Sequence, residues 1–174
     1  MIDNFSRRIL AWNVAGTFEP AITAQLLRAA ADPTTTSSKP TVLVDAGVEN
    51  FNSAVDEVIE SGVLKRVLAQ TEINFSNSLI ESWWRVLKHQ WLYLNALDSV
   101  ETVRNLVTFY VEQHNTHMPH SAFQGQTPDE MYFGTDIDIP KQLQESRIAA
   151  RESRMTLNRA QTCQTCEELV AISC

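Results

Sequence analysis

The sequence predicts an α/β protein with one folded domain followed by a helical tail. In the first half, short runs rich in β-branched and aromatic residues alternate with segments whose apolar residues recur at helical spacing. Alternation of this kind is typical of an α/β architecture. The chain has 174 residues, of which 44% are hydrophobic. That is enough for one domain with its own core.

Five elements are predicted in the first half of the chain. They are, in chain order, a strand at 7–14, a helix at 19–31, a strand at 41–45, a helix at 52–60 and a strand at 63–70. Pro20 suits the first turn of the first helix, and Gly62 is placed to end the second. The polar segment 32–40, bounded by two prolines, is a predicted loop.

Two long helices, a short one and a tail follow. The first long helix, at 76–94, has a predicted core stripe of six apolar residues: Ile80, Trp83, Trp84, Leu87, Trp91 and Leu94. Trp84 and Trp91 are therefore interpreted as core residues and not as surfaces that stack on bases. The second, at 99–114, begins where Asp98 and Glu101 resemble a capping box. A short helix is predicted at 128–133. The chain is thus divided into a core at 1–135 and a basic, helical tail at 136–174.

The charge of the chain is unevenly distributed. The net charge is −7 and the pI about 5.0, which by itself argues mildly against nucleic-acid binding. Residues 141–160, however, carry five basic and two acidic side chains. No apolar run of about 18 residues and no secretory leader is visible, and three cysteines crowd near the C-terminus. We therefore expect a cytoplasmic protein without a membrane partner.

Two carboxylates stand out as candidate functional groups. Asp45 directly follows the apolar run 42–44, a predicted buried strand, and ligands of open α/β sheets bind beyond the carboxyl ends of strands. Glu81 lies on the first long helix, away from its apolar stripe. At about 100° per residue, four polar side chains fall within roughly 40° of one line on that helix: Asn77, Glu81, Arg85 and Lys88. This face is either a site or a solvated surface with an i,i+4 ion pair from Glu81 to Arg85.

Four segments, in order, resemble the catalytic core of the DDE integrases and transposases, the retroviral integrase superfamily. They are IDNFSRRILAW at 2–12, VDAGVENFN at 44–52, NSLIESWWRVLK at 77–88 and HNTHMPHSAFQGQTPDEMYFG at 114–134. The second resembles the strand with the family's second catalytic Asp. The third resembles the helix with its catalytic Glu. Here 35 residues separate Asp45 from Glu81, as in the family.

The resemblance implies a fold, a reaction and a set of site residues. The fold is ribonuclease-H-like, with a mixed sheet flanked by helices, and the reaction is metal-dependent cleavage and strand transfer of DNA. Asp45 and Glu81 would be catalytic and would bind Mg²⁺ or Mn²⁺, because carboxylates suit these ions and metal pairs activate the attacking and leaving oxygens. The implied DNA contacts, to element ends and target, are Asn77, Arg85, Lys88 and His120.

The chain departs from the family pattern at its beginning. The family's first catalytic Asp lies on a strand upstream of the segment that starts here at residues 1–3. We therefore expect an N-terminally truncated sheet with an exposed edge, an incomplete metal site and no activity of the chain alone. Asp3 is interpreted as a turn residue or as a partner of Arg7 or Arg8. A substitute metal role for Asp3 is the alternative.

Three functions follow from these observations. The leading hypothesis is a transposase or integrase core fragment. The alternative is a non-catalytic regulatory or DNA-binding module that pairs with full-length transposase. The protein partners that we consider are full-length transposase and, in a homo-oligomer, a second copy of the chain. A metal-dependent nuclease of the same fold ranks last, because the segment TPDEMYFG resembles transposases.

Zinc is considered at two places and disfavoured at both. Three histidines recur at three-residue intervals: His114, His117 and His120. Pro119 interrupts their helical register, and the resemblance already accounts for His120. Cys163 and Cys166 form a lone CxxC without a second pair. Met118 stands where the family has an Arg, which removes a phosphate-directed charge from this loop.

Overall fold

The structure is a computed structural model that describes residues 1–31, 39–69 and 78–160. Its helices and strands, in chain order, are α1 Pro20–Ala30, β1 Thr41–Val44, α2 Ser53–Glu60, β2 Lys65–Leu68, α3 Ser78–Gln90, α4 Val100–Thr116, α5 Pro128–Phe133 and α6 Ile139–Ala160. Short 3₁₀ helices lie at Leu92–Leu94 and Ser121–Phe123. The predicted helices, and the predicted strands after residue 40, are confirmed with shifted ends.

Local sequence explains how the first helices begin and end. Pro20 occupies the first turn of α1, where its missing N–H costs nothing. The side chain of Asn52 caps α2 and accepts a hydrogen bond from the Val55 N–H at 3.1 Å. Gly62 follows α2 with a φ of 80°, a conformation that favours glycine.

The predicted cap of α4 is wrong by one residue. Ser99 caps this helix, and its Oγ accepts a hydrogen bond from the Thr102 N–H at 3.0 Å. Asp98 has no such role, and Glu101 pairs instead with Arg104, one turn further along. A serine and an aspartate are about equally good caps, so composition alone does not decide between adjacent residues.

The chain divides into two compact units. The first contains Met1–Met118 and Thr127–Thr135, and so includes α1 to α5 and both strands. The second contains Pro119–Gln126 and the residues from Asp136 onward, and so includes α6. The predicted division into 1–135 and 136–174 stays a prediction.

β1 and β2 form a two-stranded parallel sheet. Thr41 lies opposite Lys65 and Val44 opposite Leu68. Parallel strands need a crossover connection, and α2 supplies it. The sheet therefore places the carboxyl ends of both strands on one side, where Asp45 follows β1.

The predicted strand at 7–14 is reduced to one antiparallel bridge between Ile2 and Ile9. Hydrogen bonds extend the hairpin beyond this bridge, from the Leu10 N–H to the Met1 carbonyl at 3.0 Å and from the Met1 amino group to the Ala11 carbonyl. Within the described residues the expected mixed sheet is not seen. The chain is α/β, with a parallel pair and a separate hairpin.

Asp3 closes the turn of this hairpin. Its Oδ2 accepts hydrogen bonds from the Ser6 N–H at 2.7 Å and the Ser6 hydroxyl at 2.6 Å. Ser6 is fully buried, so this carboxylate satisfies two donors that water cannot reach. The interpretation of Asp3 as a turn residue is confirmed, but its carboxylate is not the partner of the Arg8 guanidinium, which pairs with Asp129.

One apolar cluster packs the hairpin against α3 and α4. Its buried members are Ile9, Trp83, Leu87, Leu92, Val107, Tyr110 and Val111. The predicted stripe of α3 is right for Trp83 and Leu87. It is wrong for Trp84, which is 42% exposed, and for Leu94, which lies beyond the end of the helix and is 75% exposed. Trp91 is half-buried, and its indole N–H donates to a backbone carbonyl of α4 at 3.0 Å.

A second apolar cluster packs α1 against α2 and the start of β2. Its buried members are Ala24, Leu27, Ala31, Val55, Val58 and Leu64. Val42 of β1 packs against its edge. The two clusters share no buried residue, so the first unit has two separate cores.

In the second unit, the start of α6 packs on the loop Pro119–Gln126. Gly125 has a φ of 107°, and a Cβ at this position would collide with the Leu143 side chain. A glycine is therefore needed both for the backbone conformation and for the close approach of the helix. None of the residues of α6 is buried. Among the helices of the described ranges, none has the length and apolar character needed to cross a membrane.

Candidate functional site

Asp45 lies where the sequence predicts it, one residue beyond β1. Its Oδ1 accepts hydrogen bonds from the Asn50 side chain at 2.7 Å and from the Gly47 N–H at 3.2 Å. Aspartate commonly holds a turn in this way. The carboxylate is exposed, and its second oxygen has no hydrogen bond from a described residue. Asp45 thus combines a fixed orientation with one acceptor oxygen that no described residue occupies.

Arg66 of β2 supports the loop that orients Asp45. Its guanidinium donates to the Asn50 carbonyl at 3.0 Å and pairs with Asp56 at 2.7 Å. It also lies over the Phe51 ring, 4.3 Å from the centroid. Asn50 therefore links Arg66 to Asp45. This contact was not anticipated from sequence, because a single Arg in a short strand gives no local indication of its partner.

A cavity of about 470 Å³ borders Asp45. Its walls come from the hairpin, β1, α1 and the first turns of α3, all in the first unit. Asp3, Asp45 and Asn50 contribute polar groups, and Ile80 and Trp84 contribute from α3. Trp84 is therefore exposed because it lines a cavity. Glu81 follows Ile80 directly but is not among the described residues that line the cavity.

The polar face of α3 is exposed to solvent. Glu81, Arg85 and Lys88 all have exposed side chains, and the Lys88 ammonium lies 5.9 Å from the centroid of the Trp84 ring. No ion pair joins Glu81 to Arg85 in this described helix, although the spacing allows one. The two cations and the acid are thus available for other partners. Asn77, the fourth member of this face, lies outside the described residues.

The buried amide of Asn115 joins α4 to the hairpin. Its Oδ1 accepts from the Ile9 N–H at 2.9 Å, and its Nδ2 donates to the Ile9 carbonyl at 3.1 Å. Both polar groups of one backbone residue are therefore satisfied by one side chain. Asn115 belongs to the segment that resembles the family, and its role here is structural.

His114 has a similar structural role. Its Nε2 lies 2.8 Å from the Arg7 carbonyl, and its ring packs at 5.9 Å against Trp83 and is stacked with Tyr110. Burial raises the pKa of the Tyr110 phenol, so that side chain stays neutral. His114 thus packs in the core beside Trp83 and Tyr110.

His117 and His120, the other two histidines of the three-residue pattern, have local contacts of their own. His120 belongs to the second unit and caps the 3₁₀ helix Ser121–Phe123, where its Nδ1 accepts from the Ala122 N–H at 3.2 Å. His117 contacts the neighbouring Thr116 hydroxyl. The part of the chain that the structure describes therefore gives no support to zinc at these histidines. Cys163 and Cys166 lie outside the described residues.

An ion pair between Arg8 and Asp129 connects the first and the last of the four segments that resemble the family, 2–12 and 114–134. The Arg8 Nε lies 2.6 Å from the Asp129 carboxylate. The central carbon of the Arg8 guanidinium lies 5.2 Å from the ring centroid of Tyr132 and 5.2 Å from that of Phe133. The pair is mostly buried. This ion pair was not predicted from the sequence, in which Asp3 was the candidate partner of Arg8.

The described acids supply the right donor type for a divalent metal but not a complete site. Asp45 and Glu81 offer carboxylate oxygens, which Mg²⁺ and Mn²⁺ prefer. Within residues 1–31, 39–69 and 78–160, however, no group of three or more His, Cys, Asp or Glu side chains lies close enough to hold a metal ion. A shared two-metal site needs more ligands than these two. No catalytic step through a metal follows from this geometry.

Comparison with known proteins identifies the central part of the chain. The family described as "Integrase core domain" matches residues 69–128, which is about a third of the chain. The match covers α3, α4 and the start of α5. A search of curated proteins finds no match. Residues 69–128 are therefore similar to part of an integrase core domain.

Proposed function

We propose that this chain is a transposase or integrase core whose family reaction is metal-dependent cleavage and joining of DNA, with Asp45 and Glu81 as two of its metal ligands. The observation that carries the proposal is the match over α3, together with an oriented carboxylate at the end of β1. Asp45 and the first turns of α3 border the same cavity. Integrase core domains act on DNA and depend on a divalent metal.

DNA is the proposed partner of the polar face of α3. Arg85 and Lys88 are exposed, carry no ion pair from a described residue and follow Glu81 at helical spacing. Cations beside a metal-binding carboxylate suit the phosphates of a DNA substrate. Asn77 and His120 are the further proposed contacts, from the family pattern.

We further propose that the chain by itself does not cleave DNA. The described acids fall short of the ligand number that a two-metal site requires. The same observation favours a second candidate function, a regulatory module that pairs with full-length transposase. Co-purification of the tagged chain with a full-length relative would support that module, and its absence at micromolar concentrations would contradict it.

The first test is metal affinity, measured from the electron paramagnetic resonance signal of free Mn²⁺ during titration. We expect Asp45→Asn and Glu81→Gln each to weaken Mn²⁺ binding about tenfold or more, because each removes a charged oxygen ligand. The matched controls are Glu57→Gln on α2 and Glu112→Gln on α4, both exposed acids on helices. We expect them to leave the affinity unchanged.

The second readout is nicking of supercoiled plasmid with Mn²⁺ present. We expect none from the chain alone. Nicking that disappears in Glu81→Gln would contradict the proposed inactivity and support a complete enzyme. Equal Mn²⁺ affinity in the wild type and both site variants would contradict Asp45 and Glu81 as ligands. Circular dichroism at 222 nm checks that every variant is folded.

A further inference from the structure

The helix α6 is exposed along its length. It has 22 residues, none of them buried, and only its first turns pack on the loop of the second unit, through Ile139 and Leu143. A helix that is polar on all sides and packs against little is stabilised by i,i+4 pairs or by a partner. The side chains of α6 therefore indicate what that partner is.

Three arginines form a stripe on α6. Arg147, Arg151 and Arg154 are spaced i, i+4 and i+7, so they lie within an arc of about 60° and span about 10 Å along the axis. Glu145 and Glu152, the two acids of the helix, lie about 140° away around it. The net charge of +3 on α6 is thus concentrated on one side. This stripe is called the arginine stripe below.

No acidic side chain of α6 is placed to neutralise the positive charge of the arginine stripe. No acid lies three or four residues from any of the three arginines in the sequence. None of them has an ion pair with another described residue, and all are exposed. Like charges at these spacings destabilise an isolated helix by a few tenths of a kcal/mol per pair. An anionic partner would relieve this repulsion.

The apolar residues of α6 argue against two other partners. Leu143 and Leu157 lie on one side, and Ile148 and Met155 lie on a side about 150° away. A membrane-surface helix needs one broad apolar face, and a coiled coil needs one narrow apolar seam. α6 has neither. Its single one-sided feature is its positive charge.

We propose that the arginine stripe binds the phosphate backbone of double-stranded DNA. The guanidinium fork suits phosphate oxygens, and the length of the stripe corresponds to about three phosphates of one strand. This site lies in the second unit and shares no residue with the proposed metal site. The choice of DNA as the polyanion rests on the proposed function. The contact is independent of sequence, because phosphate carries no base information.

The test is fluorescence anisotropy of a labelled 30-base-pair duplex titrated with the full chain in EDTA, at salt concentrations from 50 to 200 mM. We compare Arg147→Gln/Arg151→Gln with Lys141→Gln/Arg159→Gln. Both variants remove two positive charges from α6, but only the first removes them from the arginine stripe. Glutamine keeps the helix propensity high.

We expect the stripe variant to bind at least about tenfold more weakly at 50 mM salt. Its slope of log affinity against log salt should fall by about 2, since each phosphate contact contributes about 0.9. The control variant should change the affinity less than threefold, roughly the effect of net charge alone. Equal weakening in both variants, or none in either, would overturn the proposal, as would a wild type that does not bind the duplex.

Two further outcomes would also overturn it. One is salt-sensitive self-association that the stripe variant abolishes while duplex binding persists, which would assign the stripe to a second copy of the chain. The other is binding to anionic vesicles in preference to DNA. Because EDTA is present throughout, failure of the metal proposal leaves this result unaffected.

Discussion

At the scale of single residues, the side chain of Asn115 shows how one polar group fixes two segments. Its amide donates to and accepts from Ile9, 106 residues earlier in the chain. The site is buried, so water does not replace either bond. The neighbouring His114 contacts the Arg7 carbonyl in the same hairpin. Together they fasten the hairpin to α4.

We expect Asn115→Ala to lower the free energy of unfolding by about 2–3 kcal/mol, because it leaves the N–H and the carbonyl of Ile9 buried and unpaired. The measurement is urea denaturation followed by circular dichroism. Asn105→Ala, on the exposed side of the same helix, is the control and should change stability by less than about 0.5 kcal/mol. Equal effects would show that the Asn115 bonds contribute nothing.

At the scale of elements, α5 is a six-residue helix, shorter than an isolated helix can persist. Its ends are specified by sequence. Thr127 and Glu130 form a capping box, and Gly134, with a φ of 68°, follows the last turn. The helix holds Asp129 against Arg8. The local sequence defines this element, and the ion pair attaches it to the hairpin.

We expect Thr127→Ala to cost about 1 kcal/mol of stability, since it removes the cap of α5. Thr108→Ala on α4 is the matched control, because its exposed hydroxyl bonds only to the carbonyl one turn earlier in the same helix. It should cost less than about 0.5 kcal/mol. Thermal unfolding at two or more wavelengths measures both. A Thr127→Ala protein as stable as Thr108→Ala would contradict the role of the capping box.

At the scale of the whole molecule, the first unit has two apolar clusters without a shared buried residue. Ile9 belongs to the cluster of the hairpin, α3 and α4. Val58 belongs to the cluster of α1, α2 and β2. Side chains in separate clusters do not share a cavity, so their contributions to stability should be independent.

We expect Ile9→Val to cost about 1 kcal/mol and Val58→Ala about 2 kcal/mol. In the double variant the costs should add to within about 0.5 kcal/mol. The measurement is urea unfolding, with an m-value equal to that of the wild type as the condition for comparing free energies. A larger departure from the sum would show that the two clusters behave as one core.

The helices were predictable because their information is local. Apolar spacing, Pro20, Gly62 and the caps lie within a few residues of the elements they define. The strand at 7–14 was not predicted correctly, because a strand forms only against a partner strand, and its own sequence does not identify that partner. Trp84 was misjudged for a related reason. Helical spacing identifies a face, but only tertiary packing decides whether that face meets a core or a cavity.

By itself, the sequence determined the α/β order of elements, the integrase resemblance and the position of Asp45 at the end of a strand. These follow from short-range pattern and spacing. The tertiary structure alone decided that Arg66 orients the Asp45 loop through Asn50, that Asn115 and His114 serve the core, and that Asp129 pairs with Arg8. Each of these contacts joins residues at least 16 positions apart, and burial and hydrogen-bond geometry, not local propensity, select such partners.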